Sequence, residues 1–470
     1  MAEFCMNLPV SYGEAIDKLT ILDIKLDKIK DDRRIDVKKE YDAIYSFIEP
    51  LLNTTVKFYY SILKEINLTI WDMQDTIRSI NTETSTNKEK ICLDILNEND
   101  RRFRVKSKIN SFLNSSLKEQ KGYAKKRCLL MGHLGLGDSI NLNGMVRYYS
   151  TVYDETTVIC SEKQLKSLST MYSDDPTIKL YPVKVIGGNL PQFDLPDELK
   201  NNIDIYKLGY YKNNNFNACN ILPFNFYDDA NINRKYFWSY FHIPYSTNSS
   251  NLYKEIFNMC GNNYILIHTN CTEGQLFSAQ DIERKFKISP NETVFLNTEY
   301  NIYTKEHPYY KIAEMVVQKS FIEYTDICKY ANKIIVTDSF LCCLAFHIDI
   351  NTDECYVISR DARDYNYIWK ERNAPPLSMR CKEFKYTLFN YYCLLKIDDK
   401  LNISDLFNLL LKYCACGKKI VLFITRKENI SIEYINTFYK STEEYFKSIL
   451  IIFEDYKIWN NEGYDIEITL

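Results

Sequence analysis

The feature that most constrains this chain is a change of hydrophobic period at Lys125-Lys126-Arg127. Before that point apolar residues recur at helical spacing; after it, short apolar runs alternate with helical stretches. Ile16, Leu19, Leu22, Leu26 and Ile29 form a first stripe, opposite a face carrying Asp17, Lys18, Lys25 and Lys28, and Ser11-x-x-Glu14 reads as its capping box. A second pattern covers Val37 to Leu51, a third runs from Ile62 to Ile77, and a fourth takes Phe103, Val105, Ile109 and Leu113. Polar breaks at Asp31-Asp32 and Asn81–Asn87 separate them. Residues 1–124 are therefore expected to be an all-α helical domain, a bundle or hairpin array. Its role stays open among a scaffold, a homo-oligomerisation element and a dock for a protein partner.

From residue 125 the pattern is α/β. Strands are expected at Cys128–Met131, Thr156–Cys160, Ile178–Val183 and Ile203–Leu208, with a helical stretch reaching Tyr149 and a helix at Leu165–Met171. This makes residues 125–245 an N-terminal Rossmann-like lobe, its last part, Asn213–Tyr245, being a polar, aromatic-rich connection. The alternation restarts over 246–395, with strands at Tyr264–His268, Thr293–Leu296, Lys333–Thr337 and Cys355–Ser359, a long helix over Lys311–Tyr330 and a short one at Phe340–Phe346. Residues 396–470 add a small α/β unit of unassigned role: helix Ser404–Tyr413, strand Lys419–Ile424, helix Ile432–Phe446, strand Ile449–Phe453. The fold class is α/β, two Rossmann-like lobes after a helical domain, with ligands expected in a cleft at the carboxyl ends of the strands.

Charge and cysteine usage exclude several classes. Lys and Arg number 59 against 62 Asp and Glu, a net charge of −3, which argues against a nucleic-acid partner held by phosphate neutralisation. The 15 cysteines are scattered, apart from Cys342-Cys343 and the lone C-x-C of Cys414 and Cys416, and there are only 5 histidines. Free thiols in a reducing, cytoplasmic compartment and no metal site are expected. No apolar run of membrane-spanning length occurs, and the first residues lack the pattern of a signal peptide.

Two segments carry candidate chemistry. The first is MGHLGLGDSINLNGMVR, starting at Met131. Gly135 and Gly137 permit a tight turn and close approach of a ligand to the backbone, and Asp138 falls at the expected helix start. It either caps that helix or serves as a general base for an acceptor hydroxyl. The third glycine of a dinucleotide fingerprint is missing, and an aspartate stands where pyrophosphate would need positive potential. His133 lies beside the turn as an acceptor-side residue. The second segment runs from Ile334 to Ala345, where a strand passes directly into a helix through Asp338, Ser339, Phe340 and Leu341; its free N–H groups suit a diphosphate, or its side chains merely cap. His268 ends a strand as either a cleft residue or a satisfied structural histidine. Ser173-Asp174-Asp175-Pro176 reads as a turn, not as a metal-binding D-x-D, and Tyr236-Phe237-Trp238 as core or hinge packing.

The LGD turn after a first strand, the helix ending in FIEYTDICKYANK from Phe321, and the D-S-x-L-x-x-L-A junction at 338–345 resemble bacterial heptosyltransferases and their relatives over roughly Arg127–Arg363. The resemblance implies a GT-B fold and a metal-independent transfer, with no bound cofactor, from a nucleotide-diphosphate sugar to a glycan or other hydroxyl acceptor. It puts the catalytic aspartate at Asp138 and the donor-phosphate turn at Asp338–Leu341. The chain departs from the family where Phe340 replaces Gly and Cys343 replaces His. It also lacks a basic residue in Thr269–Gly274, a charge that Arg360 or Arg363 would supply unless they pair with Asp361 and Asp364. These departures keep a second reading open, a catalytically silent glycan- or nucleotide-binding scaffold. The stretches VSYGEAIDKLTIL, IWDMQDTIR and Asn99–Phe103 with Leu117–Glu119 resemble an uncharacterised helical domain found beside glycosyltransferase-like lobes in bacterial and viral proteins, including those of large DNA viruses.

Overall fold

The computed structural model describes residues 8–79, 85–122, 124–185, 202–209, 223–271 and 274–358, and five strands beyond them. They belong to two compact units, one built on Met1–Thr247 and the other on Asn248–Asn373 and Met379–Leu470.

The first unit opens with helices α1 (Tyr12–Lys28), α2 (Arg33–Ile48), α3 (Thr54–Ser79) and α4 (Ser85–Phe112). Ser11, in an extended conformation, accepts the Glu14 N–H at 3.2 Å and starts α1, while the Glu14 carboxylate reaches Lys106 at 2.7 Å. Ile16 and Leu19 pack with Val56, Tyr59, Ile62, Ile66, Val105 and Ile109 in one core. A Cβ on Gly13 would lie 2.5 Å from the Lys106 carbonyl oxygen, so α1 and α4 meet backbone to backbone. Asp17 corrects the sequence reading. Expected on the polar face, it is 1% exposed, paired with Arg102 and bonded by the Asn67 amide at 2.8 Å. An isolated carboxylate could not sit there; the guanidinium across the bundle makes its burial tolerable.

The same unit continues through β1 (Arg127–Met131), α5 (Leu136–Asn141), α6 (Asn143–Val152), β2 (Glu155–Ser161), α7 (Leu165–Met171), β3 (Ile178–Val183), β4 (Asp204–Lys207), α8 (Phe224–Asp229) and α9 (Tyr236–Ser239). The strands are parallel in the order β3-β2-β1-β4. Apart from Arg127, β1 is wholly buried, as a parallel strand covered on both faces must be. Phe237 and Trp238 of α9 are core residues.

Two ion pairs bind the helices to this sheet. Lys108 of α4, 2% exposed, meets both carboxylate oxygens of Asp175 at 2.8 Å. Arg147 of α6, 1% exposed, grips Asp174 at 2.7 and 2.9 Å and donates to the carbonyls of Met171 and His242. The Asp174-Asp175 turn expected from the sequence is therefore a turn, but one whose acids face inward and are consumed by two cations.

The second unit holds α10 (Thr247–Cys260), β5 (Tyr264–His268), the hairpin β6 (Asn270–Cys271) and β7 (Gly274–Gln275), α11 (Ala279–Phe286), β8 (Val294–Asn297), α12 (Tyr310–Glu314), α13 (Tyr324–Tyr330), β9 (Lys333–Thr337), α14 (Phe340–Ala345), β10 (Cys355–Ile358) and β11 (Lys385–Thr387). Its parallel sheet runs β11-β10-β9-β5-β8. The long helix expected over 311–330 is broken. Gln318 takes φ 52° and donates its N–H to the Thr298 carbonyl at 2.8 Å, and a capping box between Ser320 and Glu323 restarts the helical turn. A further parallel sheet, β14-β13-β12-β15, is made by β12 (Tyr392–Ile397), β13 (Lys419–Ile424), β14 (Ile449–Ile452) and β15 (Ile466–Thr469). Its first and last strands in chain order are additions to the sequence reading, and the helices expected at 404–413 and 432–446 lie outside the described residues. No helix among the described residues is long and apolar enough to cross a membrane.

Candidate functional site

Strand order locates the first half-site. In β3-β2-β1-β4 the chain leaves β1 toward β2 and later returns to pair β4 on the other side, so β1 and β4 flank the topological switch point. The segment after β1 carries His133 and Asp138; the one after β4 carries Gly209. His133 Nε2 lies 3.0 Å from the Gly209 carbonyl oxygen and so donates to it, which ties the two segments together. Gly209 takes φ +73°, and a Cβ there would meet His133 Nε2 at 2.6 Å, so both its conformation and its space call for glycine.

Asp138 sits in the first turn of α5, where the helix dipole favours a carboxylate. Its side chain is 24% exposed and its Oδ2 lies 3.9 Å from His133 Nδ1, beyond direct hydrogen bonding. Gly135 and Gly137 depart from expectation. Gly135 precedes α5 with φ −69° and ψ 147°, and Gly137 lies inside the helix, so neither uses the left-handed region. What Gly135 provides is room: a Cβ there would lie 2.8 Å from Asp138 Oδ2.

The second unit repeats the logic. The order of its strands reverses between β5 and β9, whose ends bring up His268 and the Asp338-Ser339 turn. Phe340, the first residue of α14, sets its ring edge-on to His268, with centroids 4.7 Å apart. Ser339 is extended ahead of the helix, and its side chain makes no capping bond. Leu341 is buried and anchors the turn. His268 is 1% exposed; its Nδ1 contacts Thr298 Oγ1 at 2.6 Å and Glu299 Oε1 at 3.3 Å, while its Nε2 has no hydrogen-bond partner among the described residues. Burial pushes the imidazole down to about 4, only partly opposed by the Asn270 main chain, so at neutral pH it offers a hydrogen bond and no charge. Burial also raises the Glu299 carboxyl. Glu299 lies in the loop Asn297–Tyr303, where the sequence reading expects nucleobase contacts, but belongs to no motif that singles it out. Arg360 and Arg363 lie outside the described residues, as do Thr272 and Glu273.

His242 behaves like His268: complete burial, with Arg147 beside it, lowers it to about 3. Both folded values fall below the ordinary 6.5, so between these limits the unfolded chain binds more protons. The stabilisation is complete above about pH 6.5 and is lost as pH falls toward 4. His268 alone contributes on the order of 3 kcal/mol. Between pH 7 and pH 5 about 2 kcal/mol of the His268 contribution should be lost, lowering the urea midpoint, and His242→Asn should flatten part of the slope. An unchanged midpoint would contradict the buried neutral state of these rings.

With this geometry in view, a family model described as a family of unknown function (DUF6165) matches residues 6–129. No curated protein sequence matches the chain. Among solved structures the chain is similar to the dodecameric iron-containing heptosyltransferase TibC in complex with ADP-D-β-D-heptose, at 14% identity and a TM-score of 0.30, over 52% of this chain and 61% of that one. A second TibC structure, from enterotoxigenic E. coli, gives 12% identity and 0.27 over the same shares. A family 9 glycosyl transferase from Veillonella parvula gives 10% identity and 0.33, over 62% of this chain and 93% of that one. The chain thus spans about three-fifths of the TibC structures, 61% of their length.

Proposed function

We propose that this chain is a GT-B-type glycosyltransferase that moves a sugar from a nucleotide-diphosphate donor to a hydroxyl of a glycan or other acceptor. The observation that carries the reading is the coincidence of chemistry and topology. The residues singled out from the sequence, Asp138 with His133 and His268 with Asp338–Leu341, sit at the switch points of two parallel sheets, where such sheets bind ligands. In this reading Asp138 takes the proton from the acceptor hydroxyl while that oxygen attacks the anomeric carbon, inverting it as the nucleoside diphosphate leaves. His133, fixed by the Gly209 carbonyl, holds the turn in place. The N–H groups after Ser339 receive the diphosphate, and the segment Asn297–Tyr303, which includes Glu299 beside His268, contacts the nucleoside. Transfer without a metal is the form that the family resemblance implies.

The competing scaffold reading draws on the absence of a cation in the described part of the loop after β5 and on the neutrality of His268. A thermal-shift panel of UDP-, GDP-, ADP- and CMP-sugars separates the two. A donor present at a hundred times its Kd should stabilise the fold by about 2.7 kcal/mol. No shift with any nucleotide sugar would favour the scaffold.

A further inference from the structure

A cavity of about 480 Å³ lies in the first unit, between the α3–α4 pair and the edge formed by α6 and the start of β1. Every lining residue except Tyr148 and Val152 comes from segment 6–129. It is not the switch-point site: Lys126 lines it just ahead of β1, whereas Asp138 follows the other end of that strand, about 16 Å away along five residues.

Two of its cations are anchored by one acid. Arg104, 5% exposed, donates Nε to Asp154 Oδ1 at 2.9 Å, and the Lys126 main-chain N–H donates to Asp154 Oδ2 at 2.8 Å. This uses one edge of the guanidinium. Among the described residues Arg104 Nη1 and Lys126 Nζ have no partner, and both residues line the cavity. Arg101 is different: Thr151, Glu98 and the Tyr240 hydroxyl engage all three of its nitrogens, and it stacks 5.0 Å over Tyr148, so it builds the wall. At the far end of α4 the exposed Asp94 also lacks a partner among the described residues, with Asn97 beside it. Asp94 and Arg104 are ten residues apart, about 15 Å between Cα atoms along the helix, and less between side chains that turn toward the same space. Met73 and Val152 contribute apolar surface along the way.

A buried guanidinium with an unused edge marks a place for an anionic group. A simple anion would fill only the cationic end and leave the Asp94 end of the cavity unused, and an apolar ligand would leave the buried edge of Arg104 without an acceptor. We propose that this cavity binds a linear zwitterion of short-peptide or ω-amino-acid size, its carboxylate on Arg104 and Lys126 and its ammonium toward Asp94. The site is independent of the transferase reading and is lost or kept separately from it.

Isothermal titration of the full chain with 6-aminohexanoate and with triglycine tests it, with hexanoate, hexylamine and inorganic phosphate as controls. Saturable binding of a zwitterion at least tenfold tighter than any control is expected. Lys126→Met and Asp94→Asn, which replace exposed side chains without hydrogen bonds, should each weaken it about tenfold, or about 1.4 kcal/mol. Binding of neither zwitterion below about 10 mM, equal binding of phosphate or hexanoate, or affinities unmoved by both variants would each overturn the proposal.

Discussion

Asp175→Asn should lower the free energy of unfolding by about 3–5 kcal/mol. The substitution conserves shape and leaves the Lys108 ammonium, 2% exposed, without its counter-charge. Burial already pushes the Lys108 amine down, and Asp175 opposes that drift while Arg147 adds to it. Thr177 and the new amide would still offer oxygens, but neither carries charge. The paired replacement Lys108→Met with Asp175→Asn removes both charges while keeping an amide oxygen for the Thr177 N–H and the Ser150 hydroxyl, and should recover part of the loss. Because Lys108 belongs to α4 and Asp175 to the turn before β3, the single variant also loosens the seam between helices and sheet. Urea unfolding followed by tryptophan fluorescence reads both variants. A single substitution costing under about 1 kcal/mol would show that the pair is solvated, as surface pairs are.

The seam also shows what sequence can and cannot reveal. The ends of α7, β3, β5 and β9 fall where periodicity places them, because a buried parallel strand or a one-faced helix writes its pattern into contiguous residues. Asp17, Asp174 and Asp175 look like ordinary surface acids in sequence because their partners lie far along the chain: Arg102 is 85 residues from Asp17, and Lys108 is 67 from Asp175. No local window contains both members. The break at Gln318 is invisible for a related reason. Residues 311–330 have a helical pattern, but the Thr298 carbonyl captures the Gln318 N–H and the backbone turns over. At the candidate site, glycine-flanked Asp138 stands out through its motif, whereas Glu299 matters only because β8 ends beside β5 and brings it to His268.

The transferase reading rests on Asp138 as the base. An amide in place of the carboxylate would keep the size and polarity of the side chain at a position 24% exposed in the first turn of α5, so Asp138→Asn should leave the fold and donor binding intact. The amide cannot accept the hydroxyl proton as the bond to the sugar forms, and the expected loss in transfer rate is about 10²–10⁴-fold. Gly209→Ala, which crowds the ring of His133, should act on the same turn through position instead of proton transfer. The most direct measurement is single-turnover transfer with whichever nucleotide sugar stabilises the wild-type chain, comparing wild type with Asp138→Asn at equal donor occupancy. The account predicts a rate at least a hundredfold lower with unchanged donor affinity, a difference of about 2.7 kcal/mol in the barrier. Equal rates in the two proteins would contradict it.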